Sequence, residues 1–173
     1  MDRDELHRMI RVDQAGEFGA TRIYEGQLAV MGDRGPHSAE IRHMAAQEAE
    51  HRAKFDALLA KRGVRPTALH PFWSAAGYAL GAGTALLGPE AAMACTAAVE
   101  TEIDKHYSEQ LDRLQATDAD PELAAMIEEF REEEREHRDS ALANGAERAP
   151  AYPLLAGAIR LGCRIAIKVS ERL

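Results

Sequence analysis

Glutamate and histidine recur along this chain in a fixed order: Glu17, then Glu48 and His51, then Glu100, then Glu134 and His137. Each falls inside an apolar stripe. Leu6, Ile10, Asp13, Glu17, Ala20, Tyr24, Leu28 and Met31 step by three and four, as one face of a helix does. Ile41, Met44, Glu48, His51, Phe55 and Leu58 make a second stripe. Met93, Ala97, Glu100, Ile103 or Asp104, Tyr107, Leu111 and Leu114 make a third, and Leu123, Ile127, Phe130, Glu134, His137 and Ala141 a fourth. Burying one lone carboxylate costs several kcal/mol, so four on inward faces oppose folding unless cations neutralise them. Carboxylate and imidazole donors suit iron or manganese better than thiol-seeking metals. Four helices carrying Glu, Glu-x-x-His, Glu, Glu-x-x-His on their inner faces describe a bundle with two metal ions at its centre.

The elements that must position these residues follow from the turns. Gly32-Asp33-Arg34-Gly35-Pro36 joins the first two helices, and residues equidistant from a short antiparallel connection lie level with each other. The turn centres near residue 34; Glu17 and Glu48 have their midpoint at 32.5, Glu17 and His51 at 34. The second hairpin turns through Ala116-Thr117-Asp118-Ala119-Asp120-Pro121, centred near 118.5, and Glu100 with His137 gives 118.5. Both hairpins therefore hold their ligands at one height. They also repeat a tyrosine, Glu17-x6-Tyr24 and Glu100-x6-Tyr107, which points to duplication of a single hairpin. A further Glu-x-x-His, Glu40 to His43, centres with Glu17 at 28.5, off the turn, and reads as a solvated face. Tyr24 and Tyr107 are expected as hydrogen-bond partners of the ligands or as core, and Asp13 as an acceptor for a ligand histidine. His106 is placed either near substrate and electron flow or at the surface. Gly16 and Gly19 flank the first ligand in mid-helix, where each costs about 1 kcal/mol relative to alanine; a flat ring or a neighbouring helix could approach there.

At 173 residues, with 46% hydrophobic but only 5% aromatic residues, the chain is one alanine-rich, all-α domain. The expected bundle helices cover about 3–31, 37–62, 89–116 and 121–144, with a long crossover over about 63–88. A net charge of −8 argues against nucleic acid as a partner. Cys95 and Cys163 lack metal or redox spacing and read as free thiols in a reducing compartment. The charged start Met1-Asp2-Arg3-Asp4-Glu5 has no signal-peptide core, so nothing is expected to direct export. Two segments exceed the needs of a plain bundle. Phe72–Leu87 is uncharged yet shorter than the ~20 residues a membrane span needs, so an interfacial or packed crossover helix is expected. Residues 151–173 form a basic amphipathic tail with Arg160, Arg164, Lys168 and Arg172 on one stripe, a local +3 against −11 for the rest. Such a tail suits an anionic membrane surface.

The run Arg11-Val12-Asp13-Gln14-Ala15-Gly16-Glu17-Phe18-Gly19-Ala20-Thr21-Arg22-Ile23-Tyr24 resembles the demethoxyubiquinone hydroxylases. So do Gln47-Glu48-Ala49-Glu50-His51, Ala98-Val99-Glu100 with His106-Tyr107, and Glu133-Glu134-Arg135-Glu136-His137-Arg138-Asp139. The resemblance extends from about Met9 to the tail; Phe18, where tyrosine is common, and Lys105, where histidine is sometimes found, depart from it and leave all six ligands in place. It implies a ferritin-like di-iron domain over 1–173, with Glu17, Glu48, His51, Glu100, Glu134 and His137 holding two irons. Glu48 and Glu134, or one of them with a more mobile Glu100, would bridge. It further implies an O2-dependent monooxygenase of ubiquinone biosynthesis that hydroxylates the ring of a polyprenyl quinol. A peripheral location on the cytoplasmic side of a bacterial membrane is expected, since the targeting extension of mitochondrial members is absent. NADH or a partner reductase would supply electrons, and other ubiquinone-biosynthesis proteins or further copies of the chain are candidate partners. The same ligands would also serve an iron-handling oxidase, and a non-enzymatic membrane scaffold is the third alternative.

Overall fold

Asp2 opens the first helix by accepting the Glu5 backbone N–H at 2.8 Å, which satisfies one of the donors a helix start leaves unpaired. In the computed structural model, which describes residues 1–172, α1 spans Arg3–Met31, α2 Ser38–Arg62, α3 His70–Leu86, α4 Pro89–Thr117, α5 Pro121–Ala143 and α6 Tyr152–Ser170. A 3-10 turn over Ala146–Arg148 links the last two, and no strand occurs among the described residues. Proline stands in the first turn of α3, α4, α5 and α6, where its missing N–H costs no helical bond. Gly63, at φ 65°, ends α2 in the left-handed region.

The hairpins α1–α2 and α4–α5 form a ferritin-like all-α bundle. Two apolar layers bracket its middle. One holds Ile10, Phe55, Leu114, Leu123, Ile127 and Phe130; the other holds Tyr24, Ile41, Met44, Met93 and a set of alanines. Between them lie the polar residues that the stripes placed inside.

The uncharged segment forms α3, which packs along α1 rather than standing free. Gly77 and Gly81 are the contact surface. A Cβ on Gly81 would overlap the Ile23 carbonyl, one on Gly77 would come 2.9 Å from the Gly19 carbonyl, and one on Gly26 of α1 would overlap the Tyr78 carbonyl. The residues that weaken α3 as an isolated helix are thus those that let two backbones approach. His70 stacks on Phe18 with ring centres 3.7 Å apart and anchors the start of α3 to α1. On the outer side Phe72, Tyr78, Leu86 and Leu87 are exposed. No helix among the described residues is long and apolar enough to cross a membrane.

Candidate metal centre

All six chemistry-bearing residues meet between the two apolar layers, and none is more than 3% exposed. Ligand atoms of Glu17, Glu48, His51 and Glu134 lie within 4.8 Å of one another, as do those of Glu48, Glu100, Glu134 and His137. Glu48 and Glu134 belong to both groups. His51 Nδ1 faces Glu17 at 3.4 Å and Glu134 at 3.2 Å, and His137 Nδ1 faces Glu48 at 3.2 Å and Glu134 at 3.3 Å. Several inward atoms, among them Glu17 Oε2, Glu48 Oε1, Glu134 Oε2 and both Nδ1 atoms, have no hydrogen-bond partner. Buried polar atoms are rarely left so, and a cluster of them around one point fits cations.

The electrostatics agree. Burial pushes the Glu48 and Glu100 carboxyls well above the usual range, and the charge of Glu134 adds to the effect. Burial would raise Glu134 too, but the close approach of the His137 and His51 imidazoles holds it at about 2. Burial opposes an imidazolium at His51, yet the neighbouring Glu134 and Glu17 carboxylates raise it to about 11.

The partners around the cluster cross between hairpins. Tyr24 donates to Glu100 at 2.8 Å, and Tyr107 donates to Glu17. His137 Nε2 meets Gln47 Oε1 at 3.0 Å, and His51 Nε2 meets Glu133. An acceptor on Nε2 leaves the Nδ1 lone pair facing the centre. Sequence reasoning missed Gln47 and Glu133. The signal was available, because each immediately precedes the glutamate of a Glu-x-x-His, at matching places in the two hairpins.

Asp13 corrects an expectation. Its Oδ1 lies 3.1 Å from His106 Nε2 and 2.7 Å from Gln110 Nε2, not beside a ligand histidine. It sits one turn before Glu17, where α1 faces His106 and Gln110 of α4. His106 borders a polar cavity of about 390 Å³ together with Arg8, Arg113 and Arg172. Glu40 and His43 stay outside the cluster, Glu40 accepting from Ser140 and His43 exposed. Arg164 also departs from expectation: it does not share a free basic stripe but lies 3.7 Å from buried Glu102 on α4.

A second cavity, about 520 Å³ and almost wholly apolar, runs between α1, α3, α4 and α6. Gly16 and Val99, which line it, immediately precede Glu17 and Glu100. The cavity and the cluster therefore share α1 and α4 as a wall. A Cβ on Gly19 would meet nothing within 4 Å, so this glycine leaves cavity space rather than admitting a helix at its own Cα.

A four-helix bundle with two Glu-x-x-His helices and two Glu helices around one buried centre defines the ferritin-like carboxylate class. The model of the family described as ubiquinone biosynthesis protein COQ7 matches residues 4–170, and the chain belongs to that family. It is 59% identical over 167 residues to a Rhodospirillum rubrum protein named 3-demethoxyubiquinol 3-hydroxylase, a match covering 96% of this chain and 78% of that one. It is 51% identical over 175 residues to the Homo sapiens protein named NADPH-dependent 3-demethoxyubiquinone 3-hydroxylase, mitochondrial, covering 100% and 80%. A Saccharomyces cerevisiae protein named 5-demethoxyubiquinone hydroxylase, mitochondrial, is 44% identical over 182 residues, covering 97% and 78%.

Proposed function

We propose that this chain is an O2-dependent di-iron monooxygenase that hydroxylates the ring of demethoxyubiquinol at a membrane surface. The observation that carries this reading is the shared wall: a buried six-ligand cluster separated from an apolar cavity only by α1 and α4. The family membership supports the substrate. The overall change is replacement of a ring C–H by C–OH, with O2, two electrons and two protons consumed and one water released.

The residues present fit two irons. Glu17 and His51 would hold one, Glu100 and His137 the other, and Glu48 and Glu134, common to both groups, would bridge. When bound, the pair supplies the reductive activation of O2 that organic side chains cannot perform. Four carboxylates offset the charge of two divalent ions. Tyr24 and Tyr107 each fix one oxygen of a terminal carboxylate, Glu100 and Glu17, so that its other oxygen keeps its direction. Gln47 and Glu133 hold the imidazoles with Nδ1 inward. The apolar walls exclude water and orient a flat ring along α1, where Gly16 and Gly19 leave room.

A polyprenyl substrate resides in a bilayer, and the molecular surface suits such a source. Leu154, Leu161 and Ile165 of α6 are exposed, as are Phe72, Leu86 and Leu87 of α3. Arg160, Lys168 and Arg172 stand beside the α6 leucines and would face anionic headgroups. The electron donor is a reduced nicotinamide or a partner reductase, and the printed name of the human relative supports the former. The test is a single turnover: iron-loaded, anaerobically reduced protein is given demethoxyubiquinol and isotopically labelled O2, and the extracted lipid is read by mass spectrometry. One labelled oxygen on the ring is expected. An unlabelled or unchanged quinone from protein holding two irons per chain refutes the reading.

A further inference from the structure

One apolar side chain stands in the seam between the apolar cavity and the buried cluster. Ile103 lines the cavity from α4, three residues after Glu100, so one helical turn puts it on the face that carries this glutamate. It packs on both sides of the wall: against the inner apolar layer that holds Ile10 and Tyr107, and against the outer cluster that holds Val99 and Ile159. From α4 both Val99 and Ile103 line the cavity, and Ile103 is the one that reaches α1 beside Glu17. Its side chain is only partly buried.

Across the seam from Ile103 is Gly16, the residue before Glu17. A Cβ on Gly16 would come 3.9 Å from Ile103 Cδ1, an ordinary contact, so an alanine would fit there. A flat ring would not. Carbon surfaces on its two faces each stand about 3.5 Å from its plane, so the walls of a ring-sized slot are about 7 Å apart. Even measured back to the Gly16 Cα, one bond of about 1.5 Å further, the gap falls short of that width. At the height of the first ligand the seam is therefore shut to a ring, and the atom that shuts it is the free end of a flexible side chain. Rotation about χ2 carries such an atom to another staggered position about 2.5 Å away, which is the order of the missing width.

Resting on the reading that the cavity takes a quinone ring, we propose that Ile103 is a gate and positioning residue for that ring. Its terminal methyl shuts the seam until a ring arrives, turns aside to admit it, and then bears on the ring face opposite Gly16. A ring in the outer cavity is separated from the cluster by the wall, and hydroxylation needs one of its carbons to cross. Held between the Gly16 backbone and the Ile103 side chain, the ring enters edge first, which limits both its tilt and its advance.

The gate is visible in the unaltered chain, because the δ1-methyl carbon shift of an isoleucine follows its χ2 rotamer. A rotamer change moves the carbon far more than the proton, whereas a ring current moves both alike. The full chain, labelled with carbon-13 in its isoleucine δ1 methyls and holding diamagnetic zinc in place of iron, is titrated with a short-chain demethoxyquinone while calorimetry follows occupancy. The Ile103 signal, assigned by its loss in Ile103→Val, is expected to move chiefly in carbon. Ile23, Ile159 and Ile167, which line the outer cavity, are expected to show the ring-current shift alone. In iron-loaded protein Ile103→Phe, which fills the seam, should lower turnover about tenfold or more at saturating quinone with iron content unchanged, a loss in kcat rather than in KM. An Ile103 carbon that stays in place at saturation while the outer methyls respond, or full turnover by Ile103→Phe, overturns the proposal. Absence of any binding removes the quinone reading of the cavity and the gate with it. Failure of the labelled-oxygen turnover with the Ile103 rotation intact removes the hydroxylase reading alone and leaves a gated quinone site.

Discussion

On the α2–α5 side of the cluster the residue before each glutamate, Gln47 or Glu133, reaches the opposite hairpin's histidine, whereas on the α1–α4 side the residues in the same place, Gly16 and Val99, form the wall of an open cavity. The contrast extends outward. The α2–α5 seam is stitched by Lys54–Glu129 at 3.0 Å, Lys61–Glu122 at 3.0 Å and the Arg62–Asp120 pair. The opposite side is covered by α3 and α6, which meet the bundle through glycines, small apolar residues and the Arg164–Glu102 pair. The two sides of the bundle thus differ: one pair of helix faces secures the central side chains, and the other borders an open apolar cavity. Chemistry at a buried centre requires both, because a site stitched all round would hold metal and reach nothing.

The sharpest break in this contrast comes from a shared ligand. Glu134→Ala should reduce bound iron below one per chain and take hydroxylation to background, as metal analysis and turnover would show. Next, Glu133→Ala and Gln47→Ala should each weaken metal binding about 10- to 100-fold while leaving quinone affinity unchanged, since they act only on the closed side. A competitive chelator titration measures it. Gly19→Leu does the reverse. Its side chain enters the cavity, so turnover should fall about tenfold or more with iron content intact, and the melting temperature should not drop because leucine favours the helix by roughly 0.8 kcal/mol. Lys168→Ala should weaken binding to anionic vesicles by about fivefold, near 1 kcal/mol per cation, whereas Arg164→Ala, whose charge is engaged by Glu102, should do less. Co-sedimentation separates the two.

The smallest expected effect lies in the stitched seam. Asp120 caps α5 through the Leu123 N–H at 3.0 Å and pairs with Arg62. Its burial alone would raise the carboxyl, but the hydrogen bond from Arg62 and that cap bring it below its usual 3.8. A depressed folded value means that the contribution is complete above about pH 4 and is lost as the pH falls through the folded value. Asp120→Ala should therefore cost about 1 kcal/mol near neutral pH and progressively less in acid, in denaturant titrations across that range.

The six central residues were legible because they violate an otherwise apolar stripe, and a violation repeated at one height in two hairpins has few physical explanations. Gln47 and Glu133 were hidden by lying one residue off the stripe, where a polar side chain is ordinary. Asp13 misled for the opposite reason: it shares the Glu17 stripe, yet it lies a full turn from Glu17, and His106 with Gln110 takes it instead. The packing of α3 was not legible because helix propensity counts glycine only as a weakness of the isolated helix, and the close approach to α1 that Gly77 and Gly81 permit is a property of the pair. Arg164 fell in step with Arg160 and Lys168 on α6; the position of α4 beneath it is what brings it to Glu102.

Every partner exchange around the centre joins the first hairpin to the second: Tyr24 to Glu100 across 76 residues, His51 to Glu133 across 82, Glu17 to Tyr107 and Gln47 to His137 across 90. During synthesis, α1 and α2 emerge with half a ligand set and none of its supports. Contacts of such sequence separation form late, after the local hairpins. The centre is then a checkpoint on assembly, because its supports are complete only when the two hairpins have met in register.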